Sequence, residues 1–158
     1  MRKKSGFTII ELMVIIAIIS ILATVAIPNF FQWRPKRQLS AATKDVFAAM
    51  QYARSRALKD NVSVGLLFDK ANEEYTVFLD NGAGGNAGNN TQDGDEPTVK
   101  SGRMPAGIDL VDTDIAADKV FFNSRGLLNN AGGEVELKNS LGVSKKIEVI
   151  RTGNSRIL

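Results

Sequence analysis

Residues 7 to 27, FTIIELMVIIAIISILATVAI, form an apolar run broken by one carboxylate, Glu11. As a helix this run rises ~31 Å at 1.5 Å per residue, about the thickness of bilayer hydrocarbon. A carboxylate in such a helix costs roughly 2.5–3.5 kcal/mol at mid-membrane and less near an interface, so Glu11 marks a site that needs a partner. The start of the chain therefore reads as an anchor, and any globular core must come from the residues beyond it. Past residue 60 there are about 100 residues, enough for a single small core.

Ahead of the run stand Arg2, Lys3, Lys4, Ser5 and Gly6. A secretory signal would discard its apolar segment at a small-residue site beyond it, and no A-x-A site follows Ile27. The candidate processing point is instead Gly6–Phe7, which keeps the helix in the product. A plain signal anchor is the alternative on hydropathy alone. Charge asymmetry does not fix topology, because Arg34, Lys36 and Arg37 flank the far end. The formal charge is +3, with 20 basic residues, 3 of them in the leader, against 17 acidic ones. A product starting at Phe7 has 17 of each, so the basic balance is no argument for nucleic-acid binding.

The chain has no Cys and no His. It forms no disulfide, lacks the commonest metal ligands, and cannot be a cysteine or His-dependent serine hydrolase. No carboxylate pair or nucleophile–base spacing stands out from surface charge, so we expect no enzyme, no catalytic residue and no cofactor.

The ordered succession of basic leader, Gly6, Phe7-Thr8-Ile9-Ile10, Glu11 and long apolar run resembles the processing signature of type IV prepilins and type II secretion pseudopilins. The resemblance implies cleavage after Gly6 and methylation of the new amino terminus at Phe7 by a prepilin peptidase/methylase. It implies further partners: other pilin or pseudopilin subunits, an inner-membrane assembly platform, and membrane lipid before assembly. The expected location is the bacterial inner membrane, single-pass, with the globular domain on the periplasmic side, and then a periplasmic or cell-surface filament. Glu11 would meet the cationic amino terminus of a neighbouring, axially staggered subunit. Two charges at 4 Å gain ~4 kcal/mol at an effective dielectric near 20, against several kcal/mol of desolvation per ion, so the pair sets register more than it adds stability. A pair between Phe7 and Glu11 of one chain is the alternative.

Ala17, Ser20, Ala23, Thr24 and Ala26 are small enough for close helix approach. Pro28, which the resemblance places in the assembly helix, removes a donor and disfavours helix at Ile27, which predicts a kink or local unwinding. Trp33 with Arg34, Lys36 and Arg37 reads as an interfacial anchor. Leu39, Ala42, Val46, Ala49, Met50, Ala53 and Ala57 then recur at intervals of three and four, an amphipathic helix ending at Asp60-Asn61. The expected organisation is a leader, 1–6; a transmembrane and assembly helix, 7–34; an amphipathic half of the same spine, 35–61; and a globular β domain, 62–158.

Strands are expected at Val62 to Phe68, Tyr75 to Asp80, Thr98 to Ser101, Gly107 to Asp112, Lys119 to Asn123, Glu134 to Lys138 and Lys146 to Thr152. Turns fall at Lys70-Ala71-Asn72 and at Asn129-Asn130-Ala131-Gly132-Gly133. The fold class is α+β: a long N-terminal helical spine packed on a small antiparallel β-sheet domain. Phe122 through Gly126, then Gly133 to Lys138 and Ile147 to Gly153, resembles the pseudopilin H, FimT and FimU type of minor pilin. The absence of Cys agrees with that minor class.

Two segments invite sharper functions. The Gly/Asn-rich loop 81–97, with Asp80, Asp93, Asp95 and Glu96, offers oxygen ligands for calcium, but not at EF-hand spacing, so a flexible surface loop is the preferred reading. Lys145, Lys146, Arg151 and Arg156 could contact phosphates and give a DNA-binding tip pilin, as in some FimT-type relatives; lysines guarding a strand edge are the preferred reading. The leading expectation is a structural subunit of a type IV pilus or type II secretion pseudopilus. The alternative is a tip subunit that binds DNA or a secreted substrate. Pilus and pseudopilus share one spine and are not separable on this chain alone.

Overall fold

The computed structural model describes residues 7–83, 85–129 and 131–158. Gly6, the basic leader and Asn130 of the expected second turn lie outside the described residues. The chain divides into two compact units, the first ending at Arg34 and the second running from Pro35 to Leu158.

Helix α1, Ile9–Asp60, is 52 residues long. In the first unit its hydroxyls turn back on the backbone: Ser20 Oγ donates to Ile16 O at 2.8 Å and Thr24 Oγ1 to Ser20 O at 2.9 Å. These bonds satisfy two polar groups on an otherwise apolar segment. The helical assignment continues through Ile27 and Pro28 and again through Pro35, so the local unwinding expected at Ile27 is not found. Proline removes one donor but holds φ near ~−65°, which a helix with several turns on either side absorbs. Among the described residues no helix is long and apolar enough to cross a membrane.

In the second unit the predicted stripe is the buried face of α1: Leu39, Ala42, Val46, Ala49, Met50, Ala53 and Ala57 are all in the core. Asn61 ends the helix with a left-handed φ of 54°. Eight strands succeed it: β1 Ser63–Asp69, β2 Glu74–Asp80, β3 Thr98–Arg103, β4 Ile108–Thr113, β5 Lys119–Phe122, β6 Gly132–Asn139, β7 Ser144–Ile150 and β8 Ser155–Ile157. They build two antiparallel sheets, ordered β3-β2-β1-β5 and β4-β6-β7-β8, within the small antiparallel β domain that the sequence pattern suggested. Alternation predicts which face a strand buries but not which strand it pairs with. Here β5 crosses to β1, with Leu66 opposite Val120, instead of joining β4.

The last predicted strand, Lys146 to Thr152, is corrected to β7, a turn and the short β8. Gly153 N–H donates to Ile150 O at 2.8 Å and Ile150 N–H to Asn154 O at 2.9 Å, so the chain reverses there. Within the first sheet, Gly65 leaves room for Phe78 and Phe121, which meet edge to face at 5.8 Å; a Cβ at Gly65 would lie 2.3 Å from the Phe78 ring. The helix is tied to this sheet where Tyr75 OH donates to Asp45 Oδ2 at 2.7 Å.

Candidate assembly site and neighbouring charge clusters

The helix opens at Thr8. Its Oγ1 accepts the Glu11 N–H at 3.3 Å and its carbonyl accepts the Leu12 N–H at 3.2 Å, which makes Thr8 the N-cap and Glu11 the third helical residue. Thr8-Ile9-Ile10-Glu11 has the T-x-x-E spacing of a capping box, of which the structure forms the Thr8 half, a signal readable in the sequence but lying inside the stretch that resembles a processing signature. A carboxylate at this pole gains about 0.3–1 kcal/mol from the helix dipole, less than its cost in hydrocarbon, so its own helix does not settle Glu11. Around it the surface is bare and apolar: Phe7 is 79% exposed and Ile9 81%, and Ile10, Leu12, Met13 and Val14 are exposed as well.

The four cations of the tail are not gathered into one patch. Lys146 Nζ lies 2.8 Å from Glu134 and 3.9 Å from Glu136, and those carboxylates, Glu134 foremost, push its pKa up. Arg156 Nε lies 2.5 Å from Glu148 Oε2, its register partner across β7 and β8. Lys145, on the opposite face of β7, donates to Ser40 Oγ of α1 at 3.5 Å. Arg151 is exposed in the turn after β7. A small cavity beside Lys146 is lined otherwise by Asp112, Asp114, Glu134 and Glu136, so this face of the second sheet carries more carboxylates than cations.

The acidic set of the 81–97 loop is divided as well. Asp80, 1% exposed, accepts the Gly88 N–H at 2.6 Å and the Asn90 N–H at 2.9 Å. Glu96, 4% exposed, accepts the Gly82 N–H at 3.0 Å and the Asp93 N–H at 3.1 Å. Burial holds the Asp80 carboxyl above its usual range; the Asn90 and Gly88 N–H groups pull it down and neighbouring Glu96 pushes it up again. Asp93 accepts the Asn89 carboxamide, and Asp95 is exposed. The buried oxygens thus fold the loop onto itself, and among the described residues no group of three acidic, His or Cys side chains could hold a metal ion.

Sequence reasoning missed one geometry of the second unit. Arg54 of α1 donates through Nε to Gly126 O at 3.1 Å, through Nη1 to Asn154 Oδ1 at 2.7 Å and through Nη2 to Thr152 O at 3.3 Å. The two glycine-bearing turns singled out by pattern, at Gly126 and Gly153, are therefore one contact region closed by a helix side chain.

A helix with an acid in its first turn, a bare apolar surface behind it, and an amphipathic continuation packed on antiparallel sheets defines a pilin-like filament subunit. The chain belongs to the Type II transport protein GspH family, which it matches over residues 42–153, and residues 1–27 match the prokaryotic N-terminal methylation motif. A fimbrial protein of Pseudomonas aeruginosa is 41% identical over 59 residues, 37% of this chain and 38% of that one, so the chain spans about two fifths of that relative's length. The fold is similar to that of the type IV minor pilin FimU of Pseudomonas aeruginosa, with a TM-score of 0.60 at 14% identity over 78% of this chain and 90% of that one. It is also similar to the minor pseudopilin EpsH of the type 2 secretion system of Vibrio cholerae, with a TM-score of 0.59 at 13% identity over 77% and 96% of the two chains. Subunits of this family are structural, and the chain is not an enzyme.

Proposed function

We propose that the chain is a minor subunit of a type IV pilus or type II secretion pseudopilus, cleaved after Gly6, N-methylated at Phe7, and assembled with Glu11 setting the height at which one helix fits beside the next. The observation that carries this reading is the bare apolar surface around Glu11 on a capped helix. Among the described residues nothing covers that surface, and the carboxylate has no cation beside it. The sequence of residues 7–27 supports a membrane-held state before assembly, since burial in lipid removes the same apolar surface from water that burial among neighbouring helices does. On this reading the globular domain lies on the periplasmic side, and peptidase, methylase and assembly platform are partner proteins.

Mass spectrometry of the native protein tests the processing step. A chain starting at methylated Phe7 is expected in filaments, and Met1 retained in assembled material would overturn the reading. DNA capture is the weaker second function, because Lys146 and Arg156 are already held by carboxylates and Lys145 faces the helix.

A further inference from the structure

The loop after β2 opens with Asn81-Gly82, and three groups converge on that peptide. The Gly82 N–H points at Glu96 Oε1, 3.0 Å away. The Ala83 N–H donates to Asn81 Oδ1 at 3.1 Å. Gly82 has a φ of 81° and no Cβ to obstruct its nitrogen. Glu96 is itself held, because its second oxygen accepts the Asp93 N–H, while Asn81 is exposed to solvent.

We propose that Asn81 is a self-modifying site: its carboxamide is attacked by the Gly82 nitrogen, with Glu96 as general base and the Ala83 N–H stabilising the developing oxyanion. Glu96 takes the Gly82 amide proton as that nitrogen bonds to Asn81 Cγ, and the carbonyl electron pair moves onto Oδ1. Collapse of this intermediate breaks Cγ–Nδ2, and ammonia leaves with a proton returned from Glu96. Water then opens the five-membered succinimide to aspartyl or isoaspartyl at position 81. The separations fall within the reach of a general base and of an oxyanion donor, and the attacking atom is tethered one bond from the residue it attacks. The product places a new carboxylate next to buried Asp80, or a methylene in the backbone of a loop whose amides Asp80 and Glu96 hold. Either change loosens the loop.

The test is peptide mapping by mass spectrometry of the full chain, incubated in detergent micelles, with Asn154 as internal control. Asn81 is expected to convert faster in the folded chain than in the same chain unfolded in urea. Glu96→Gln should slow conversion roughly ten-fold or more. The folded wild type should also show a rate that varies less with pH from neutral to alkaline than Glu96→Gln and the unfolded chain, whose hydroxide-driven conversion climbs with pH. A Glu96→Gln rate equal to or above wild type, a folded rate at or below the unfolded one, or a wild-type rate climbing as steeply as the unfolded chain's would each overturn the assignment.

Discussion

The α-carbon of Gly153 rests against the carbonyl of Gly126: a Cβ at position 153 would sit 1.9 Å from that oxygen, which already accepts the Arg54 Nε–H. Twenty-seven positions apart in the chain, these residues are held as one contact by a side chain from α1. Both glycines lie in the part of the chain that matches the GspH family.

Gly153→Ala should therefore cost at least about 2–3 kcal/mol, since the new methyl meets a backbone oxygen and the φ of 81° is left-handed. Arg54→Ala should cost about 2 kcal/mol by leaving the Gly126 carbonyl without its charged donor. Urea unfolding of the full chain in detergent checks both, and the double variant should lose less than the sum because the two changes break one contact region.

Glu11→Ala should leave membrane association intact, because it removes a charge from an apolar segment, yet reduce incorporation into filaments. Fractionation into membrane and sheared filament measures the two separately. Incorporation equal to wild type would remove the register argument.

Asp80 gives a pH dependence of defined sign. Its folded carboxyl titrates above the ordinary 3.8, with burial the largest cause, so the stability it contributes is complete in acid and is lost as pH rises through the raised value. Asp80→Asn should flatten that fall. Thermal unfolding of both chains across the acid to neutral range reads the difference.

The tail cations yield a negative expectation. With Lys146 beside Glu134 and Arg156 beside Glu148, changing Lys145, Lys146, Arg151 and Arg156 together to Gln should not alter migration of duplex DNA in a low-salt shift assay. Salt-sensitive binding by wild type that this variant abolishes would restore the DNA-tip reading.

Much of this protein is legible in one dimension. The seven apolar positions of the amphipathic helix are all buried because a helix of period 3.6 turns spacing directly into a face. The unwinding expected beside Pro28 does not occur because the local preference at Ile27 is outweighed by the hydrogen-bonded turns on both sides. The division of the strands into two sheets is not legible, since β5 could satisfy its alternation beside either β1 or β4. Nor are the fates of the charges: Asp80 and Glu96 look like ligands on paper, but their oxygens are taken by loop amides that only the closed loop brings near.

The sequence by itself determined the match to the N-terminal methylation motif, with Glu11 inside it, and the buried stripe of α1, because each depends on neighbours a few residues apart. The tertiary structure decided strand partnership, the joining of the Gly126 and Gly153 turns by Arg54, and which carboxylates lie buried. Those depend on backbone and side-chain groups far apart in the chain, whose meeting is set by the packing of the whole second unit and not by any local periodicity.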